Sequence, residues 1–194
     1  EICVGNGSIE IIRVFCSVVL GRTKGSRFFA ETPTFGEYEL SASLAGARRT
    51  EKPEKAGVRF VCNPNNPTGT LQRRAELLDL LTATKKQGGI LFCDEAFIAL
   101  ADESESLADF RDPTLFVLDS LTKSFAVPGL RFGFGFGERE LVEKILSFSS
   151  NPGDVVLDPF LGSGTVAVVS QEMRRHFLGF EVVDEYYAFA LQRL

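Results

Sequence analysis

Histidine occurs once in this 194-residue sequence, at His176, and cysteine four times, at Cys3, Cys16, Cys62 and Cys93, with no C-x-x-C pair. A zinc site therefore has almost no ligands to draw on, and no metal is expected. Four isolated thiols read as buried, reduced cysteines of a cytoplasmic protein. No apolar run reaches the ~18 residues that a membrane span requires, so no membrane partner is expected. The chain opens Glu1-Ile2-Cys3, with no basic n-region and no cleavage site, which argues against secretion. The missing initiator methionine suits a fragment or a processed product. Positive charge is short as well: 21 basic residues stand against 26 acidic ones, a net charge of −5. The pairs Arg48-Arg49, Arg73-Arg74 and Arg174-Arg175 are too scattered to form the basic stripe that a polyanion needs. Nucleic acid is thereby excluded as the main ligand. What is present is ordinary for a globular domain, with 44% hydrophobic and 24% charged residues. The length suits one medium α/β domain or two small ones.

Periodicity supplies the organisation. Ile9, Ile12, Phe15, Cys16 and Val19 recur at helical steps before Gly21. A short strand is expected at Arg27 to Ala30, and a helix that starts after Pro33 and Thr34 and runs through Tyr38, Leu40 and Leu44 to Gly46; Arg48 to Gly57, with Pro53, reads as a connector. The strands Val58 to Cys62, Ile90 to Cys93 and Thr114 to Leu118 then alternate with helical segments such as Arg73 to Gln87. Arg131 to Gly137 alternates with period two, and Glu138 to Ser149 is helical. Strand Val155 to Leu157, helix Thr165 to Arg174, strand Phe177 to Val183 and a last helix from Asp184 complete the chain. Strands alternating with helices predict a three-layer α/β fold, a mostly parallel, doubly wound sheet with helices on both faces.

Open parallel sheets bind ligands beyond the carboxyl ends of their strands. Three strands deliver polar residues there: Asn63 to Asn66, Asp94-Glu95, and Ser120 to Lys123. Singly, each has a bland explanation as a turn, a helix cap or a solvated lysine. Together they suit one chemical task. A lysine amine forms a Schiff base with an aldehyde, and a carboxylate keeps a pyridinium nitrogen protonated so that the ring withdraws electrons. An amide such as Asn66 can meet a ring hydroxyl. Arg131 offers a bidentate fork for phosphate, Ser120 and Thr122 offer hydroxyls, and the Gly7-Ser8 helix start offers free backbone N–H groups. Phe35 could stack on a ring face.

Residues 4–137 resemble the large domain of fold-type I pyridoxal-phosphate enzymes, histidinol-phosphate aminotransferase and threonine-phosphate decarboxylase above all. The resemblance is carried by VGNGSIEII, ETPTFGEYE, CNPNNPTGT, FCDEAF and SLTKSFAVPGLRFGF. It implies that Lys123 is the internal-aldimine lysine and Asp94 the partner of the pyridine nitrogen. Asn66 would meet the ring hydroxyl and Phe35 stack on the ring, while Ser8, Ile9, Ser120, Thr122 and Arg131 would hold the phosphate. Amino acids or amino-acid phosphates are the implied substrates, and the family's dimeric sites leave a homodimer open. The sequence departs from the family in having Phe97 where a tyrosine is usual and in a shortened Arg48 to Val58 stretch. It also has no counterpart to the N-terminal arm or to the small domain that supplies the substrate-carboxylate arginine.

From about residue 139 the resemblance changes. LVEKILSFSSNPGDVVLDPFLGSGTVAVV and RRHFLGFEVVDEYYAFALQRL are similar to the cofactor-binding part of amino-type DNA methyltransferases. That likeness implies S-adenosylmethionine against the loop Asp158 to Thr165, with Glu181 on the ribose hydroxyls; the plain alternative is a tight turn packing strand on helix. The D/N-P-P-Y/F signature of that family is absent. The chain is thus read as 1–137, a truncated pyridoxal-phosphate-enzyme segment, and 138–194, a methyltransferase-like βαβα segment completing the same sheet. Three functions stay open: a pyridoxal-phosphate protein acting through Lys123, a recombined or designed chimera without activity, and an S-adenosylmethionine or nucleotide binder using Asp158, Gly162, Gly164 and Glu181.

Overall fold

The computed structural model describes residues 2–124, 132–158, 161–162 and 164–194. Among them the chain begins with strand β1 (Ile2–Asn6), helix α1 (Ser8–Val19), β2 (Arg27–Ala30), α2 (Glu37–Leu44) and the two-residue β3 (Arg48–Arg49). It continues through β4 (Val58–Cys62), α3 (Arg74–Lys86), β5 (Ile90–Asp94), β6 (Leu115–Ser120), the short α4 (Leu121–Ser124) and β7 (Phe132–Phe136). Helix α5 (Arg139–Ser149), β8 (Val155–Asp158), α6 (Thr165–Glu172), β9 (His176–Gly179) and α7 (Asp184–Arg193) follow.

Seven strands form one sheet in the order β1-β7-β6-β5-β4-β2-β3. β7 runs antiparallel to both neighbours, and the other four pairings are parallel. All the strands from β1 to β6 therefore end at one edge, where β7 begins. The mostly parallel, three-layer reading of the sequence holds.

Pleating assigns the core. Phe28, Val58, Phe60, Phe92, Phe116 and Leu118 point to one face, where α1, α2 and α5 bury Phe15, Tyr38 and Val142 against them. The Phe15 ring lies 4.7 Å from Phe92 and 5.0 Å from Phe116. On the opposite face Val61, Leu91, Cys93 and Val117 meet Leu77 and Leu81 of α3. All four cysteines are unpaired and buried, and loss of water lifts the thiols of Cys3 and Cys16 to about 12 and that of Cys62 to about 11.

The strand expected at Phe177 to Val183 is observed as His176–Gly179, with 180–183 outside it, and the structure departs from the sequence reading in three further places. Ile2–Asn6 forms a strand, paired antiparallel with the glycine-alternating β7. Arg48–Arg49, expected within a connector, instead pairs with Arg27 and Phe28 as an edge strand. β8 and β9 do not join the main sheet but pair with each other in a separate parallel sheet. That smaller sheet is still tied to the larger unit, because Val169 of α6 is buried in the main core, with Val156 and Met173 packed against it. The main sheet ends at β1 on one side and at β3 on the other, and β8 pairs with β9 alone among the described residues.

Gly135 of β7 faces the Phe116 ring, and a methyl group there would overlap it and stand 3.2 Å from Cys3 Sγ. Gly135→Ala is therefore expected to destabilise the chain by about 1–3 kcal/mol, lowering Tm by about 3–10 °C in thermal denaturation.

Candidate active site

Asp94 is the last residue of β5 and is 4% exposed. The Tyr38 hydroxyl donates to its Oδ2 at 2.7 Å, and the Ala96 N–H donates to its Oδ1 at 3.0 Å. Burial nevertheless raises its pKa to about 6: desolvation outweighs the two donors, and the Asp119 carboxyl adds to the rise. Tyr38 is fully buried, its ring stacked on Phe60 at 5.2 Å and edge-on to Phe35 at 5.6 Å. Phe35 and Asp94, far apart in sequence, are thus joined through one tyrosine.

A second group forms where β6, β7 and β1 meet. Ser120 sits opposite Gly133, and Gly133 opposite Gly5. The Ser120 hydroxyl lies 2.8 Å from that of Thr122. A side chain at position 133 would collide with the Ser8 amide at the start of α1, so glycine keeps that space clear. Gly7, with φ 82°, turns the chain into α1 without a side-chain cap, which leaves the first-turn N–H groups of Ser8 and Ile9 available to an anion. Ser8, Ser120 and Thr122 therefore border one corner.

The turn after β4 provides the third wall. The Asn63 N–H donates to the Asp94 carbonyl at 2.7 Å, fastening the turn to β5. The Asn63 side chain accepts from Gln72 N–H and donates to Gln72 O, while Asn65 accepts from the Thr34 hydroxyl at 2.8 Å and donates to the Pro33 carbonyl. Those two asparagines shape the turn. Half-buried Asn66 makes no side-chain hydrogen bond among the described residues. Lys123 is exposed on α4, with Nζ 5.4 Å from the centroid of the Phe97 ring. Arg131 lies outside the described residues.

Of the acidic pair, Asp94 belongs to this edge and Glu95 does not. Glu95 accepts from the Leu107 N–H at 2.7 Å and from the Ser106 hydroxyl, pinning the segment that follows. Burial raises its pKa to about 7. Sequence reasoning also missed Tyr38 as the partner of Asp94, although a phenol on the apolar face of a helix needs a buried acceptor.

At the other loop, the Glu181 carboxylate accepts N–H bonds from Gly162, Val182 and Val183, each at 2.8 Å. Gly164, with φ 76°, abuts Ala190 of α7 so closely that a side chain would not fit. Among the described residues no cluster of potential metal ligands is found, and no helix is long and apolar enough to cross a membrane.

The family model of Aminotransferase class I and II matches residues 47–152, more than half of the chain. The chain belongs to that family. A DNA methylase model matches residues 138–192. Among curated relatives of this aminotransferase-family chain, histidinol-phosphate aminotransferase 1 of Pasteurella multocida is 36% identical over 157 residues, 72% of this chain and 43% of that protein. Histidinol-phosphate aminotransferase of Halalkalibacterium halodurans is 33% identical over 165 residues, 75% of this chain and 44% of that protein. The chain therefore spans less than half the length of these relatives. Among solved structures, the histidinol-phosphate aminotransferase from Clostridium acetobutylicum aligns with TM-score 0.65 and 28% identity, over 77% of this chain and 49% of that one. The L-threonine-O-3-phosphate decarboxylase from Porphyromonas gingivalis shares the fold, with TM-score 0.66 and 24% identity over 77% of this chain and 50% of that one.

Asp94 and Glu95 hold protons in the folded chain that the unfolded chain gives up near pH 4. Their contribution to stability is full below about pH 4 and is lost as pH rises through about 6 for Asp94 and about 7 for Glu95. Between about pH 5 and pH 8 the Tm of the ligand-free chain should fall more steeply than that of Glu95→Gln. Equal slopes would contradict the assignment.

Proposed function

We propose that this chain binds pyridoxal phosphate at the carboxyl edge of the main sheet and acts on amino acids or amino-acid phosphates through Lys123. One observation carries the reading: a buried carboxylate at the end of β5, a lysine on the short helix that follows β6, and a hydroxyl-lined helix start cleared by Gly133 lie along the carboxyl edge of one sheet. The residues fit the group. Asp94 uses one acceptor site on each oxygen, and a carboxylate retains further lone pairs for a pyridinium N–H. The Ser8 and Ile9 amides with the Ser120 and Thr122 hydroxyls offer a neutral cradle for a phosphate; Arg131, which the sequence resemblance implies as its charged partner, lies outside the described residues.

The cofactor, when bound, supplies a protonated ring that draws electrons from the α-carbon of an amino acid. Asp94 keeps the ring nitrogen protonated, and the nearby positive charge in turn favours the ionised form of Asp94. Tyr38 supports that ionised form by donating to Oδ2. Asn66, whose amide is uncommitted, would meet the ring hydroxyl, and Phe35 would cover a ring face. Lys123 would hold the cofactor through its side-chain amine and would serve as the acid and base that moves the proton at the substrate α-carbon. The similarity to histidinol-phosphate aminotransferases supports amino-acid-type substrates.

We read the segment from about residue 138 as a recombined addition without a part in this chemistry. The S-adenosylmethionine alternative has less behind it: Glu181 accepts from two amides of its own turn and from Gly162 of the preceding loop, which leaves its carboxylate fewer acceptor positions for a pair of ribose hydroxyls.

Added pyridoxal phosphate should give a protein-dependent absorbance band that is lost in Lys123→Ala, and borohydride reduction should leave the label on Lys123 in peptide maps. A spectrum indifferent to the protein, or labelling indifferent to Lys123, would overturn the proposal. In Tyr38→Phe, loss of the donor raises the Asp94 pKa further, so the pH at which cofactor binding sets in should move up by about one unit, read by spectral titration.

A further inference from the structure

The face of the main sheet that α3 covers is open toward β2. Alternation turns Phe29 of β2, and Arg59 and Val61 of β4, to this side, while Phe28, Val58 and Phe60 are buried on the other. Leu80 of α3 reaches the rim, and the surface between these elements sinks into a cleft of about 350 Å³. Its upper wall is the hydrogen-bonded pair Thr34 and Asn65.

Arg59 is the unsatisfied group of this cleft. Its guanidinium carbon lies 5.4 Å from the centroid of the Phe29 ring, a contact that orients the fork without consuming its N–H donors. Nε is buried without a hydrogen-bond partner. Glu31 lines the same cleft, exposed to water and near enough to favour the guanidinium charge. Desolvation still outweighs Glu31 and lowers the Arg59 pKa from its ordinary value. A half-buried cation with idle donors costs stability until an anion pairs with it.

We propose that this cleft binds a free α-amino acid with an apolar side chain, its carboxylate on the Arg59 fork, its ammonium toward Glu31 and its side chain over Phe29 and Leu80. A planar carboxylate matches the guanidinium bidentately. The opposite charges of Arg59 and Glu31 select a zwitterion, since phosphate would meet the Glu31 carboxylate and a bare amine would meet Arg59. The volume lies in the range of small-molecule sites. The cleft lies on the α3 side of β2 and β4 and is distinct from the Lys123 edge. It touches that edge through Thr34 and Asn65, the chain neighbours of Phe35 and Asn66. Occupancy therefore steadies the two segments that carry those residues. The proposal does not depend on the cofactor reading.

Isothermal titration of the full chain, without added pyridoxal phosphate, tests it with L-phenylalanine against 3-phenylpropanoate, 2-phenylethylamine and inorganic phosphate. L-Phenylalanine should bind more tightly than all three, with an affinity unchanged in Lys123→Ala and weakened about tenfold or more in Arg59→Gln. In Glu31→Gln, a change at an exposed position, the preference for L-phenylalanine over 3-phenylpropanoate should disappear. The proposal is overturned by no saturable binding of L-phenylalanine, by equal binding of 3-phenylpropanoate to the unaltered chain, or by loss of binding in Lys123→Ala. Undiminished affinity in Arg59→Gln overturns it as well. Should circular dichroism show Arg59→Gln unfolded, the Glu31→Gln comparison decides, and a retained preference there overturns the proposal.

Discussion

The buried hydrogen bond from Tyr38 to Asp94 joins the parts on which the rest of the structure relies. It spans 2.7 Å between a helix and the end of a central strand, in surroundings that penalise either group alone. Because the Tyr38 ring stacks on Phe60 and meets Phe35 edge-on, the same residue sets how α2 sits on the sheet and where the segment before it runs. Remove the carboxylate and the phenol loses its acceptor; remove the phenol and the carboxylate loses one of two donors. Core packing and site chemistry are therefore coupled through a single contact, and neither can drift without the other.

The carboxyl edge also depends on strand direction. A purely parallel sheet would bring only strand ends to this edge, but β7 enters from it and runs back between β1 and β6. Its glycines let α1 start close against the sheet, so the first-turn amides lie beside Ser120 rather than a side chain's width away. Closeness of backbone to backbone, obtained by leaving side chains out, makes the corner small enough for a phosphate-sized anion.

Much of this was legible in the sequence. Apolar runs at Val58 to Cys62, Ile90 to Cys93 and Thr114 to Leu118 marked the central strands, because fully buried parallel strands need little else. The grouping of Asp94, Ser120 and Thr122 at one edge followed from the rule that strand ends gather on one side. The rest depended on partners remote in the chain. Ile2–Asn6 and Arg48–Arg49 are strands through the neighbours they pair with, β7 and β2, not through their own composition. Strand-end position alone did not distinguish Asp94 from Glu95, and only the family resemblance singled out Asp94; in the structure one meets Tyr38 and the other Ser106 and Leu107. The place of β8 and β9 was misread for the same reason, since βαβ periodicity does not say which sheet a strand joins.

The four buried thiols have a use beyond packing. Cys3, Cys16 and Cys62 lie under the helices on one face of the sheet, and Cys93 lies under α3 on the other. Thiolate is the reactive form, and burial withholds it from all of them. Each thiol becomes reactive toward an alkylating reagent when its own layer parts from the sheet, so the two layers carry separate chemical clocks of local opening.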